Sequence, residues 1–498
     1  MKPFIKYAAL AAVFLAFFGH YFVPIWDMDF WWHIASGRYF FETHTIPAED
    51  PFSVYDADDG PMRASTLRFY WLAQIGMFLT YNYLGTTGII FLKAATLTLC
   101  LALTFFRSKL IGASGLSSLA VMFIVGMGLL YFTGDRPQLL SFLFFPIVAL
   151  LLEFSREKKV QWPLYLLPPI MLLWANMHGG ITLGGVVLML MALSYAIEWR
   201  WFEGQRFGGK WFFAIIVFAV LCTLLTPSGL NTYWYLAAYQ LGDGVLNRER
   251  TSEYASPITL WQDMNIMVPF YWGFLLLAVI ALPKAFKKSH LTPLWVSLLL
   301  AAISLNAFRY IPFFILYAAP YVALGLSRLT APIKFPTLPA YGAILAIALF
   351  TLGYGVQHGQ AFQGGLNPAR YPIGAVEFIQ KNKLSGKIFN GYTWGGYLIW
   401  HLNPQINVYI DGRALYPRRF NDYTHILWAT PYGVEKLDQD NFDFVLIPYA
   451  TAWQKEPYKL NAYLLQNPQW QVVYQDQLGY MFARKKTAGS YMGQSNYR

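Results

Sequence analysis

Charge is scarce in this chain of 498 residues: Asp, Glu, Lys and Arg together make up 13% of it, about half the share carried by a soluble protein of this size. That shortage excludes an ordinary water-soluble globular class. Cysteine is nearly absent, with only Cys100 and Cys222, and both fall inside apolar runs. A disulfide framework and a Cys-based metal site are thereby excluded, and the two thiols read as small buried hydrophobes. No small-residue cleavage site follows the first hydrophobic segment, 4–23, which begins among Lys2 and Lys6, so it reads as a retained span and not a signal peptide. Walker A and dinucleotide fingerprints, internal repeats and low-complexity tracts are missing too. Acidic residues are outnumbered, leaving a net charge of +11. Most of the basic residues outside the C-terminal region lie in short loops between apolar segments, where they set topology, so no nucleic-acid partner is implied.

What fills the chain instead is apolar: 56% hydrophobic and 18% aromatic residues. Candidate spans run over 4–23, 88–106, 115–133, 137–154, 162–175, 180–197, 211–226, 266–283, 292–308, 310–327 and 338–357. This is a polytopic α-helical membrane protein with about 11 transmembrane helices. The segment 69–85 is short and aromatic, and either spans or lies along the interface. If it lies on the outer surface, the clusters Lys2/Lys6, Arg107/Lys109, Arg156/Lys158/Lys159, Arg200/Arg206/Lys210, Lys284/Lys287/Lys288 and Arg328/Lys334 all fall on the cytoplasmic side. The loop 24–68, with eight acidic residues and three basic ones, then falls outside. The positive-inside rule favours that arrangement.

The division that follows is a transmembrane domain over 1–357, with a first external loop over 24–87, and an extracytoplasmic α/β domain over 358–486. In the latter, 386–390, 406–413, 442–448, 470–476 and 479–485 read as strands, and 371–382 and 460–467 as helices. The tail 487–498 reads as disordered.

This topology gathers the unusual polar residues on one face. The stretch WDMDFWWHIASGRYF, 26–40, carries Asp27 and Asp29 beside Phe30, Trp31 and Trp32, then His33 and Arg38. Two carboxylates at this spacing, desolvated by apolar neighbours, can deprotonate a hydroxyl or bridge a divalent metal such as Mg or Mn. The helical spacing that follows fits a helix lying on the membrane with its polar groups turned inward. An aromatic belt with a solvated acidic flank explains the same residues one at a time. Asp135 and Arg136 stand before a Pro that starts a span, where Arg136 could hold a phosphate or pair with its neighbour. Asn176 and His178 interrupt an apolar hairpin whose turn needs Gly179 and Gly180 but not the two polar side chains. Glu253 and the pair Arg248/Arg250 lie in a long loop, 227–265, able to grip a donor or acceptor. Arg309, between apolar stretches, suits a phosphate or a buried carboxylate such as Asp27 or Asp29. The glycines of 390–402 and of YIDGR, 409–413, read as structural.

The order of a first span, an Asp-led external loop, about ten further spans and a C-terminal α/β domain resembles the GT-C superfamily of integral-membrane glycosyltransferases. The loop WDMDFWWHIASGRYFFETHTIPAEDPFS is similar to bacterial members distantly related to protein mannosyltransferases and lipid A aminoarabinose transferases. The segment from RYPIGAVEFIQ to VYIDGR resembles the C-terminal domain of such proteins. The resemblance implies transfer of a sugar, with inversion, from a polyprenyl-phosphate-linked donor to a hydroxyl on a lipid, glycan or protein acceptor. It maps the catalytic Asp onto Asp27 or Asp29 and places the enzyme in the bacterial inner membrane with its N-terminus cytoplasmic. A transporter or flippase of a lipid-linked amphiphile, and a non-enzymatic membrane scaffold, are the alternatives. The spans are apolar at mid-depth and lack evident inverted repeats, which speaks against transport.

Overall fold

A computed structural model describes residues 2–47, 49–54, 68–201, 209–241, 252–259, 267–286, 292–333, 336–413, 417–450 and 456–485. Arg248/Arg250 and the tail 487–498 lie outside them. The chain divides into two compact units, one of Met1–Ile25, Tyr83–Leu236 and Arg248–Gly365, the other of Trp26–Asn82, Ala237–Asn247 and Leu366–Arg498.

Helices carry the first unit. In chain order the helices are α1 (Lys2–Tyr21), α2 (Phe30–Thr43), α3 (Trp71–Leu110), α4 (Gly115–Leu129), α5 (Gln138–Lys158), α6 (Leu167–Ala175), α7 (Ile181–Trp201), α8 (Gly209–Cys222), α9 (Asn231–Leu241), α10 (Met267–Ala285), α11 (Thr292–Asn306), α12 (Ile311–Thr330) and α13 (Thr337–Gln357). Of these, α2 belongs to the second unit. Among the described residues seven helical segments are long and apolar enough to cross a membrane, and four more are apolar but only 10–17 residues long. Together they occupy the places of the eleven candidate spans. Large apolar side chains such as Val279 and Phe350 point outward, exposed, as a lipid solvent permits.

The expected separation of 69–85 from 88–106 takes a different form. The two segments belong to one element of 40 residues, interrupted at Gly85 (φ 62°, ψ −157°). Only glycine reaches that backbone conformation without a Cβ clash, so the break falls there.

Further along α3, one face meets two helices opened by proline. A proline inside a helix has no N–H and leaves the carbonyl four residues earlier without its helical donor. Pro146 in α5 releases the Phe142 carbonyl, which accepts from Cys100 Sγ at 3.3 Å. Pro320 in α12 releases the Leu316 carbonyl, which accepts from Arg107 Nη1 at 2.8 Å. Cys100 is therefore a buried donor as well as a small apolar group. Arg107, expected among loop charges, is instead wholly buried at the end of α3. It grips Glu153 of α5 with Nε–Oε2 at 2.8 Å and Nη2–Oε1 at 2.6 Å, and Tyr321 donates to the same carboxylate at 2.5 Å. A charge removed from water persists only with such partners. Arg328 caps α10 by donating to the Lys284 and Ala285 carbonyls, each at 2.8 Å.

The second unit contains a four-stranded sheet. Its strands are β1 (Ile388–Asn390), β2 (Phe444–Pro448), β3 (Trp470–Gln475) and β4 (Gly479–Arg484), ordered β1-β2-β4-β3. The β1/β2 pair is parallel and the other two pairs are antiparallel. Around it stand α14 (Ile373–Lys381), α15 (Gly395–Leu402), α16 (Pro417–Leu427), α17 (Pro431–Gln439) and α18 (Lys459–Gln466). Phe389, Tyr423, Ile426, Val445, Leu460 and Phe482 fill one core. The stretch 406–413, expected as a strand, joins no ladder. Asn390 takes over its backbone, accepting from Tyr409 N at 2.8 Å and donating to Ile410 O at 2.8 Å. A single parallel bridge ties Val408 to Ser53 of the first loop.

Candidate active site

The head of α2 organises the second unit. Asp27 is buried and its Oδ1 accepts the Asp29 N–H at 3.0 Å, which tightens the turn into the helix. Tyr371 donates its hydroxyl to the Asp27 carbonyl at 3.0 Å. Asp29 occupies the N-cap position, yet its carboxylate makes no capping bond. The carboxylate is directed at Gly412, where any methyl group would run into Asp29 Oδ1. Gly412 belongs to the DGR turn, and its neighbours lock that turn: Arg413 binds Asp411 at 2.6 Å and Asp50 of the first loop at 2.6 Å. All three ionic side chains are buried, and the paired carboxylates push the guanidinium above its ordinary range against the cost of burial.

The first part of α2 turns its aromatic side chains into the unit, while Phe41 near its end is exposed. Phe30, Trp31, Trp32, His33, Ile34 and Phe40 are buried within the unit. Trp31 packs edge-on to Tyr81, Tyr371 and Tyr397, with Trp400 and His401 also in contact. The aromatic run that looked like a membrane belt is a protein core, because α15 and the start of α3 cover it. His33 turns to Gln74, Nδ1 to Nε2 at 3.1 Å, and Arg38 lies over the Trp400 ring at 4.4 Å.

The first unit assembles a second group. Arg136 ion-pairs with Glu253, and Arg309 lies over the Tyr254 ring at 4.5 Å. The loop carrying Glu253 is tied down by Phe308 N–H to Ala255 O at 3.0 Å and Ser256 Oγ to Leu305 O at 2.7 Å. Burial alone would raise the Glu253 carboxyl, but Arg136 and then Arg309 outweigh it and hold it below the usual range. His178 shares this field. Burial, then Arg309 and Arg136, push it down to about 3, so its ring is neutral at physiological pH. Its Nδ1 accepts the Gly180 N–H at 2.9 Å and lies 2.7 Å from Ser141 Oγ, which in turn accepts from Trp174 Nε1 at 2.7 Å. Those bonds put the ring proton on Nε2. Arg136 and Arg309 both act on the Glu253 carboxylate here, beside a neutral imidazole.

Two of the residues singled out from the sequence stand elsewhere. Asp135 pairs with Lys93, not with its neighbour Arg136: Nζ and Oδ1 are 2.9 Å apart, both side chains are buried, and Lys93 also donates to Val23 O at 3.0 Å. Asn176 donates to the Leu172 and Leu225 carbonyls, each at 3.0 Å, closing the end of α6. Sequence reasoning missed Lys93, although a lone lysine inside an apolar run is a signal in itself. It also missed Gly412, whose role depends on a contact with residue 29 that no spacing reveals.

Among the described residues no group of three or more His, Cys, Asp or Glu side chains could hold a metal ion. Asp27 Oδ1 is engaged with the Asp29 N–H, and no chemical step is routed through a metal.

No protein-family model matches the sequence, and no curated protein matches it. Its fold does recur in solved structures. The arabinofuranosyltransferase AftD from Mycobacteria superposes with a TM-score of 0.54 at 13% identity, over 97% of this chain but only 40% of its own length. The oligosaccharyltransferase of Archaeoglobus fulgidus, tethered to an acceptor peptide containing the NVT sequon, gives 0.55 at 9% identity, over 89% of this chain and 69% of its own. ArnT from Cupriavidus metallidurans, bound to undecaprenyl phosphate, gives 0.56 at 11% identity, over 97% of both chains. The chain thus shares the fold of these solved structures, the GT-C fold.

Proposed function

We propose that this protein is an inverting membrane glycosyltransferase that moves a sugar from a polyprenyl-phosphate-linked donor to an acceptor hydroxyl on the extracytoplasmic face, with its N-terminus cytoplasmic and Asp29 as the base. One observation carries the reading: within the GT-C fold, the Asp29 carboxylate at the head of the first loop is partly exposed and unused for helix capping, while Asp27 shapes the turn. The oligosaccharyltransferase neighbour is solved with an acceptor peptide and ArnT with a polyprenyl phosphate, which supports a lipid-linked donor.

The chemistry is a single displacement. The acceptor oxygen bonds to the sugar C1 as the C1–O bond to phosphate breaks, and that electron pair leaves with the polyprenyl phosphate. The hydroxyl proton passes to the Asp29 carboxylate. Within the helical unit, Arg136 and Arg309 are the charges suited to holding a phosphate, and neutral His178 carries an Nε2–H donor. The test is transfer by the purified full chain or restoration of the surface glycan missing in a deletion strain. Asp29→Asn should abolish activity and Asp27→Asn should weaken it. Full activity in both variants would overturn the mechanism, and substrate flux in proteoliposomes without covalent transfer would replace it with a transporter.

A further inference from the structure

Helix α8 is too short for the membrane it enters. Its 14 residues rise about 21 Å, against a hydrocarbon core of about 30 Å, and any tilt widens the gap. Trp211 stands exposed at its start, the place of an interfacial aromatic, so the shortfall falls at the other end. The chain does not turn charged there: residues 211–242 contain no Asp, Glu, Lys, Arg or His. The exposed face of α8, with Val217, Phe218 and Leu221, continues past the helix into Leu225, Leu230 and Trp234, which are 66%, 71% and 68% exposed. Beneath that strip the backbone closes on itself. Thr223, Leu224 and Leu225 each donate to the carbonyl three residues back, at 3.0–3.1 Å. Gly229 N–H donates to Thr226 O at 3.0 Å and Trp234 N–H to Leu230 O at 3.2 Å. Asn176 donates to the Leu225 carbonyl at 3.0 Å, and Tyr233 donates its hydroxyl to Thr223 Oγ1 at 2.5 Å. Hydrocarbon tolerates non-helical backbone only where protein satisfies its polar groups.

We propose that the turn 223–229 and the first turn of α9 form a lipid-facing surface: Leu230 and Trp234 enter the hydrocarbon of the nearer leaflet and complete the span that α8 leaves short. The partner is the bilayer and not another protein, because the strip is continuous with the lipid-facing side of α8 and uncharged along its whole length. Leu230 and Trp234 stand four residues apart, so they share one side of the helix. Thr232 turns inward, its hydroxyl 3.2 Å from that of Thr226. A tryptophan suits this depth, since its ring is apolar while its N–H can reach the headgroups. The long loop 227–265 therefore starts inside the membrane and not in water. The surface stands whatever reaction the protein performs.

The test places single nitroxide labels on the full chain reconstituted in phosphatidylcholine vesicles. Leu230→Cys and Trp234→Cys carry them, each keeping the other apolar anchor, and the unsubstituted chain, whose Cys100 and Cys222 are buried, gives the background. Both labels should collide with oxygen more often than with a water-soluble nickel chelate, at a depth of about 5–10 Å below the phosphates. A label on Asn231→Cys, an exposed position next to Leu230 but about 100° round the helix, should favour the chelate. Before labelling, the thiols at 230 and 234 should react more slowly with a membrane-impermeant maleimide than the thiol at 231. All three substitutions replace exposed side chains, so each variant should melt with the wild type. Chelate-dominated collisions at 230 or 234 would put α9 in water and overturn the proposal. Labels reached by neither reagent would show a protein covering the strip, which overturns it equally.

Discussion

Removing Arg107 should damage the helical unit more than removing Arg107 and Glu153 together. Arg107→Met deletes two bonds to Glu153, at 2.8 and 2.6 Å, and one to the Leu316 carbonyl at 2.8 Å. It leaves Glu153 buried with the Tyr321 hydroxyl still donating to it. Breaking a buried pair from one side costs about 3–5 kcal/mol, and stranding the proline-released carbonyl adds about 1–3 kcal/mol. In the double variant Arg107→Met/Glu153→Leu no charge is left behind, so only the Leu316 and Tyr317 carbonyls and the Tyr321 hydroxyl lose partners. The double should then sit on the order of 2 kcal/mol or more above the single, a coupling large enough for a mutant cycle. Adding Pro320→Ala restores an N–H for Leu316 O and should recover about 1 kcal/mol more. Unfolding of the purified protein by SDS titration measures each step. A double variant as unstable as Arg107→Met would refute the reasoning, since the penalty would then come from lost packing and not from an orphaned charge.

The Lys93–Asp135 pair should behave alike: Lys93→Met alone should cost about 3–5 kcal/mol in the same titration, and Lys93→Met/Asp135→Leu clearly less. His178 is held at about 3 in the folded chain against about 6.5 unfolded. Between those values the unfolded state binds the extra proton, so stability falls as pH drops below about 6.5. By pH 5 the loss from this group is on the order of 2 kcal/mol. Thermal melting across pH 5–7 should show that slope in the wild type and a shallower one in His178→Gln; identical slopes would argue that the ring is not kept neutral. His401, pushed down to about 4 by burial and then Arg38, adds a slope of the same sign, which His401→Gln should remove. Arg413→Lys cannot reproduce the fork that grips Asp50 and Asp411 and should destabilise the second unit by about 2–4 kcal/mol, read as early proteolysis of the first loop.

Segments such as 115–133 and 338–357 were legible because a membrane span needs little more than length and apolarity. The broken helix at Gly85 was half legible: the two segments were seen, their junction was not. The stretch 406–413 has the alternation of a strand, but the Asn390 side chain outcompetes a neighbouring strand for its backbone, and that competition is tertiary. Among the candidate site residues, Asp27 and Asp29 stood out because carboxylates beside three aromatics are conspicuous. The pairing of Arg136 with Glu253 spans more than a hundred residues, and Asp135 chose Lys93 over an adjacent arginine. Neither choice leaves a trace in local spacing. The role of Gly412 was hidden for a plainer reason, since an absent side chain advertises nothing about what occupies its place.

The two proline-opened carbonyls also bear on motion. Cys100 and Arg107 are seven residues apart on α3, two turns on one face, and each docks into a different neighbour, α5 through Phe142 and α12 through Leu316. A slide of α3 by one turn, about 5.4 Å, would empty both docking points and pull a guanidinium off its carboxylate. Rearrangements of the helical unit must then leave this end of α3 in register. They are confined to movements in which α3, α5 and α12 travel as one block, and a cross-link between any two of the three near these contacts should leave turnover intact.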